Sequence, residues 1–329
     1  MRKSLFQKLR CLDCRSINLE FTKQDELNHI SPGEIICRSC GRTFYIKNRI
    51  PILLKEDIFK VKNLIQDRMV NLEDHDNWKK MQVQFYENSC SEKSMKQHEM
   101  ARPHNQSRLY QYLQYYDLRL ASQLYGGTFV NKTILSFGCG GGMDAEFFWQ
   151  KGALVGGLDI SHTYLQIAQK RFADRQVDFE TICCDAEDVP IQSESFDICY
   201  AFDALHHCPD PYRVIEEMIR ISREAIIIME PNSSPIISLS VKLGMTRMWE
   251  ASGNYKHYFK MKQMRKFLHQ KGINSIATDF SFFKKFHFEP PIFIILSKFP
   301  LFQMIKAVLY VLRKLLGSLS NHCIVYFSK

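Results

Sequence analysis

The run Ile134-Leu-Ser-Phe-Gly-Cys-Gly-Gly-Gly142 constrains this 329-residue chain more than any other stretch. It reads as a buried strand, a glycine-rich turn and the start of a helix. Glycine accepts positive φ and lets a ligand approach the backbone closely. The amides of the helix N-terminus can then hold an anion. Two more strands follow, Gly157-Leu-Asp159 and Phe179–Cys184, the second running into Asp185-Ala186-Glu187. A carboxylate at the end of the second strand is placed to bind two ribose hydroxyls. Phe196–Tyr200 is a fourth strand leading into the loop Ala201–Pro211, and Ala225–Glu230 is a fifth, closed by Pro231-Asn232. Helical segments at about 161–175 and 211–223 lie between the strands. Strands alternating with helices form a parallel sheet.

Gly138, Gly140 and Gly142 follow G-x-G-x-G and not the dinucleotide pattern G-x-G-x-x-G, which counts against NAD. A ligand with a carboxylate, a ribose and an adenine fits the order of the run, and S-adenosylmethionine has all three. With the motifs ILSFGCGGG, GLDIS, CCDAEDVPIQSESFDICYAFDALHHCPDP and IIIMEPN, residues 105–329 resemble the class I S-adenosylmethionine-dependent methyltransferases, especially their type 11 group. The resemblance implies an α/β, Rossmann-like, seven-stranded sheet flanked by helices, with an antiparallel last strand at Cys323–Phe327. It implies that Gly138, Gly140 and Gly142 line the methionine part of the cofactor. Asp159 would bind the ribose, Ile160 would pack on the adenine, Asp185 would accept from the adenine amino group, and the Ala186 amide would face a ring nitrogen. Ser136 departs from the family, which usually has an acidic residue there; Asp144 is the candidate to compensate.

The fourth-strand loop faces the transferred methyl in such a sheet. His207 and His206 are its candidate general bases, since a neutral imidazole can take a proton near pH 7. A base is not obligatory, because methyl transfer from a sulfonium can be accelerated by alignment alone. The position where exocyclic-amine methyltransferases carry Asn/Asp-Pro-Pro-Tyr/Phe reads Phe202-Asp203-Ala204-Leu205 here, which argues against base N-methylation of that type.

Cys11-x-x-Cys14 and Cys37-x-x-Cys40 form two knuckles, with Gly41 after the second. Four thiolates so paired can surround a structural Zn²⁺ tetrahedrally. The stretch Ile35–Leu54, within a match over about residues 8–56, resembles the small zinc-ribbon family that includes the activator subunit of tRNA and translation-factor methyltransferases. The chain therefore divides into a zinc ribbon (1–56), a linker and lid (57–106) with a helix over Lys60–Val70, and a methyltransferase domain (107–329) with an insertion at about 283–320. Leu109–Leu124 reads as one amphipathic helix with Leu109, Tyr112, Leu113, Tyr116, Leu120 and Leu124 on one face.

Charge is uneven. Residues 1–70 hold 14 Lys and Arg against 8 Asp and Glu, residues 71–254 hold 17 against 25, and residues 255–329 hold 13 against 2. A basic, aromatic C-terminal quarter suits nucleic acid or an anionic lipid surface. Its apolar helix near 301–316 can lie in a bilayer interface. Met1–Arg10 is basic with no apolar run after it, and eleven cysteines without a secretory signal fit a reducing, cytoplasmic location, with peripheral contact at the inner membrane surface. The expected activity is methyl transfer to carbon or oxygen of a small-molecule or lipid-linked acceptor. The alternatives are an rRNA or tRNA methyltransferase and a cofactor-binding scaffold without turnover.

Overall fold

The computed structural model describes residues 3–21, 33–55, 58, 75–89, 107–244, 248–250, 255–282 and 290–329. The helix expected over 60–70 lies outside these residues. In chain order the helices are α1 (Lys3–Phe6), α2 (His75–Ser89), α3 (Arg108–Gln114), α4 (Tyr116–Tyr125), α5 (Met143–Trp149), α6 (His162–Ala173), α7 (Pro211–Ile221), α8 (Pro235–Lys242), α9 (Met261–Gln270), α10 (Ile292–Leu296) and α11 (Leu301–Leu316). The strands are β1 (Leu19–Phe21), β2 (Gly33–Cys37), β3 (Thr43–Lys47), β4 (Ile50–Leu53), β5 (Thr133–Phe137), β6 (Leu154–Asp159), β7 (Glu180–Cys184), β8 (Phe196–Phe202), β9 (Ser222–Pro231), β10 (Ile276–Ser281) and β11 (His322–Ser328).

All the strands join one sheet in the order β1-β2-β3-β4-β7-β6-β5-β8-β9-β11-β10. Strands β5 to β9 are parallel to one another, and β11 runs antiparallel between β9 and β10. The seven strands expected from the sequence are present, but the continuous sheet is eleven-stranded, and that expectation is corrected here. The N-terminal strands do not stand apart. β4 pairs parallel with β7 through Ile52 opposite Cys183 and Leu53 opposite Cys184. β4 is apolar and buried along its whole length, so it covers the polar backbone edge that β7 would otherwise expose.

Alternation along the strands separates two cores. Leu135, Phe137, Ile226 and Ile228 face one, while Ile134, Ile227 and Met229 face the other. The helix expected over 109–124 breaks into α3 and α4 at Tyr115, where φ is −101° and ψ is 14°. The Tyr115 ring is buried against Phe147, with 5.3 Å between centroids.

The turn after β5 is anchored from α6. The buried Arg171 donates through Nε to the Gly141 carbonyl (2.7 Å) and pairs with the fully buried Glu146 (3.4 Å), which also meets Arg175 (2.8 Å). A buried charge that loses its partner costs about 3–5 kcal/mol. Glu146 keeps Arg175 when Arg171 is removed, so Arg171→Met loses mainly the donor to the Gly141 carbonyl and is expected to lower unfolding free energy by about 1.5–3 kcal/mol, read as a lower urea midpoint at unchanged slope. A change under about 1 kcal/mol, the usual size for an exposed pair, would show that Arg171 is not the anchor.

Candidate active site

Strands β5, β6, β7 and β8 all stop at one sheet edge, and the loops that follow them wall a cavity of about 570 Å³. That volume is ordinary for a small-molecule site. Gly138, Gly140 and Gly142 all have positive φ. Gly138 is doubly constrained, because a Cβ there would lie 2.6 Å from the Ala204 Cβ on the neighbouring loop. Gly138 and Gly140 line the cavity, whereas Gly142 packs behind it, where a Cβ would lie 3.1 Å from Ala168.

Asp159 joins two of the loops. Its Oδ2 accepts from the Gly140 amide and its Oδ1 from the Ser161 amide, each at 2.9 Å. Burial pushes its carboxyl up from the ordinary value, and those amides pull it back. Ile160, Asp185, Ala186 and Asp144 also line the cavity, and Ser136 is buried in β5.

Helix α2 forms a further wall through Lys79, Gln82 and Tyr86. Lys79 Nζ lies 2.7 Å from both Asp185 Oδ2 and Glu187 Oε2. Burial opposes the ammonium charge, but the two carboxylates outweigh it and raise the Lys79 pKa. Glu87 accepts from Ser161 Oγ (2.8 Å), the Thr163 amide (3.1 Å) and the Thr163 hydroxyl. These bonds fasten α2 to the N-terminus of α6. Tyr86 meets Tyr164 edge-on at 5.6 Å.

The loop after β8 is organised by Glu230 at the end of β9. This fully buried carboxylate accepts from the amides of Ala204 (2.8 Å), Leu205 (2.7 Å) and His206 (3.3 Å), and it meets His206 Nδ1 at 2.7 Å. His206 is buried behind the cavity lining. His207 reaches the lining, with Nδ1 2.7 Å from Glu250 and its carbonyl accepting from Gln82. Burial lowers the His207 pKa, and the neighbouring His206 lowers it further.

Asp203 also lines the cavity, at φ 51°. Its Oδ1 is 2.9 Å from Nε2 of the buried His322, whose Nδ1 is 2.5 Å from the buried Asp117 in α4. Burial opposes the His322 charge, yet Asp203 and Asp117 raise its pKa to about 10.

At the other end of the sheet the four knuckle cysteines meet. Cys11 and Cys40 sulfurs are 3.6 Å apart, Cys14 and Cys37 sulfurs are 3.5 Å apart, and all four lie within 4.8 Å of one another.

The structure thus brings Gly138, Gly140, Asp159, Ile160, Asp185, Ala186 and His207 to one cavity, and Cys11, Cys14, Cys37 and Cys40 to one point. Sequence reading missed Lys79, Glu87, Asp117, Glu230, Glu250 and His322. Glu230 alone had a visible signal, an acidic residue closing an otherwise apolar strand that has no solvent to face.

The His206–Glu230 pair carries a pH signature. Burial opposes the His206 charge, but Glu230 raises its pKa to about 9, against about 6.5 in an unfolded chain. A raised folded pKa gives stability that is complete below about 6.5 and is lost as pH climbs through about 9. The urea midpoint of wild type should therefore exceed that of His206→Gln most at about pH 6 and lose much of that lead by about pH 10. A lead that is constant or grows with pH would exclude a charged His206.

Residues 135–228 match the family described as "Methyltransferase domain". The "Ubiquinone biosynthesis O-methyltransferase" of Coxiella burnetii is 34% identical over 89 residues, which are 27% of this chain and 38% of that protein. The protein of the same name from Pseudomonas paraeruginosa is 29% identical over 154 residues, 45% of this chain and 63% of its own length. The chain thus spans between 38% and 63% of the length of these curated relatives. Among solved structures, the magnesium protoporphyrin IX methyltransferase of Synechocystis PCC 6803 with bound SAH aligns at 16% identity and TM-score 0.45, over 67% of this chain and 85% of that one. The stretch holding the glycine turn, Asp159, Asp185 and the strand-four loop, residues 135–228, is therefore the part of the chain that is similar to a methyltransferase domain.

Proposed function

We propose that this protein transfers a methyl group from S-adenosylmethionine to a hydroxyl of a small or lipid-linked acceptor. The observation that carries this reading is the convergence on one cavity of the glycine turn, Asp159, Asp185 and the His207–Glu250 pair. The names of the curated relatives favour oxygen over carbon as the target. The strand-four loop lacks the motif of base N-methylation, which disfavours the RNA alternative, and a complete set of cofactor groups disfavours a scaffold without turnover.

The residues fit the cofactor by their chemistry. Amides of the glycine turn and the start of α5 would hold its carboxylate. Asp159 would take the ribose hydroxyls, Ile160 would pack on the adenine, and Asp185, steadied by Lys79, would accept from the adenine amino group while the Ala186 amide would face the ring. S-adenosylmethionine, when bound, supplies an electrophilic methyl on sulfur. His207 is neutral near pH 7, oriented by Glu250, and takes the acceptor's proton. His206 keeps the loop in shape from behind. Tyr86 and Tyr164 also line the cavity, and alignment of the acceptor oxygen with the methyl can by itself accelerate transfer.

We further propose that Cys11, Cys14, Cys37 and Cys40 hold one structural Zn²⁺. A tetrahedron with Zn–S bonds near 2.3 Å has sulfur–sulfur edges of about 3.8 Å, close to the spacings observed. Four thiolates close the coordination shell and leave no position for substrate. On this reading residues 1–56 are a zinc ribbon that extends the sheet, 57–106 are the linker and lid, of which only α2 is seen to wall the cavity, and 107–329 form the methyltransferase domain with an insertion at 283–320.

Calorimetry should detect S-adenosylmethionine or its demethylated product, and Asp159→Ala should weaken binding roughly 10- to 100-fold through lost charge-assisted hydrogen bonds. With methyl-labelled cofactor, label should pass to a hydroxylated acceptor in a lipid or small-phenol panel, and His207→Ala should slow transfer roughly 100-fold. Unchanged affinity in Asp159→Ala, or binding of NADH in place of the sulfonium, would defeat the reading.

Protein purified without chelator should contain one zinc per chain, and Cys37→Ser should release it and lower the thermal midpoint while cofactor affinity persists. Metal-free protein of full stability would exclude the zinc site.

A further inference from the structure

Helix α11 has 16 residues, none of them buried. Its sequence nevertheless carries two apolar stripes. Phe302, Ile305 and Leu309 are half-buried and pack inward, Leu309 on the main core and the other two on the smaller cluster around Leu109, Tyr110 and Phe293. At roughly 100° per residue, Leu301, Met304, Val308, Val311, Leu312 and Leu315 fall within a separate arc of about 100°. All six are exposed, Leu315 by 75%. The preceding segment continues the surface with Ile292, Ile294, Ile295 and Phe299, the last 83% exposed. With Tyr310, which lies off the stripe, eleven large apolar or aromatic side chains are exposed in 24 residues, and these are not the scattered single apolar residues of an ordinary surface.

The helix is held in place firmly enough to present this stripe. Arg313 pairs with Asp279 on β10. Lys306 lies over the rings of Tyr112 and Phe302 at 5.7 Å. The outward stripe is therefore a fixed face, and α11 is not a loose segment that could turn inward to hide it.

Charge decides what covers the face. Residues 255–329 hold 13 Lys and Arg against 2 Asp and Glu, and Lys298 and Lys314 lie in the segment itself. A second copy would bring the same positive excess against it, which disfavours self-association. Single-stranded RNA is held by aromatic stacking over basic grooves, whereas this stripe is almost wholly aliphatic. An anionic bilayer satisfies both features, since acyl chains take the aliphatic stripe and headgroups take the lysines. Among the described residues no helix is long and apolar enough to cross a membrane. At about 24 Å, α11 is also shorter than a hydrocarbon core of about 30 Å, so it lies flat.

We infer that the 292–316 face is a membrane-docking surface for anionic lipid, which brings the protein to acceptors that partition into the bilayer. The docking itself does not depend on the methyl-transfer reading, and binding of S-adenosylhomocysteine, measured on the same preparation, separates failure of one from failure of the other.

The full chain should float with phosphatidylcholine vesicles containing phosphatidylglycerol and much less with phosphatidylcholine alone. Each lysine near the anionic surface raises affinity roughly fivefold, so high salt should weaken binding. Val308→Glu, on the outward stripe, should cut vesicle affinity roughly tenfold or more with the thermal midpoint and S-adenosylhomocysteine affinity unchanged. Lys298→Glu combined with Lys314→Glu should abolish the preference for phosphatidylglycerol. Three results would overturn the inference: no flotation with anionic vesicles, flotation indifferent to Val308→Glu, or a dimer or salt-sensitive RNA complex lost in Val308→Glu while vesicles are ignored.

Discussion

The cavity depends on one constraint: backbone amides released where strands end must find acceptors in a place that excludes water. Strands β5 to β9 run parallel, so their loops crowd at the same edge and cannot satisfy one another. Buried and half-buried carboxylates do it instead. Asp159 takes amides from the glycine turn and from the start of α6. Asp185 takes the Glu187 amide, Glu187 takes the Asp210 amide, and Glu230 takes three amides of the strand-four loop. Each carboxylate fixes a loop by bonds that water could not leave in one geometry, and each stays close to the cavity or behind it. Loop shape and ligand-facing charge are set by the same atoms.

The same edge chemistry explains the N-terminal region. A cysteine-bearing hairpin set with a wholly apolar final strand cannot leave that strand in water, and β7 offers an unpaired edge. Pairing Ile52 and Leu53 with Cys183 and Cys184 resolves both problems and makes one sheet of eleven strands. Contacts away from the sheet reinforce the junction. The Arg10 amide donates to the Pro190 carbonyl at 3.0 Å, and Arg15 pairs with Asp188 at 2.6 Å. The knuckles are thereby coupled to the segment that follows Asp185.

The strands, the glycine turn, Asp159, Asp185 and the four cysteines were legible because each is a short-range pattern, in which apolar runs, turns and paired spacings need no knowledge of what lies opposite. Lys79 was invisible for the contrary reason. It sits in a polar stretch with weak periodicity, and its partners are 106 and 108 residues away. His322 begins the last strand and gains meaning only when Asp117 and Asp203 arrive from two other elements. The break at Tyr115 was hidden because the apolar spacing runs through it uninterrupted, while the ring's packing against Phe147 is a tertiary preference. The eleven-stranded sheet escaped because periodicity gives strands but not their neighbours.

Electrostatics of the lining gives a last step. Asp144, Asp159, Asp185, Glu187 and Asp203 face the cavity against Lys79 and Arg171. Lys79 is spent on Asp185 and Glu187, and Arg171 on Glu146 and the glycine turn. His322, behind the wall, is shared between Asp203 and Asp117, so carboxylates still outnumber cations around the cavity, and low-dielectric walls focus a field of that sign. On the proposed function, S-adenosylmethionine has one more positive charge than the thioether left after transfer, so a cavity of this sign would hold the donor better than its product. On that proposal the carboxylates that order the loops would also favour exchange of spent cofactor for fresh. That is a reason for the acids to lie at this edge of the sheet, beyond satisfying its amides.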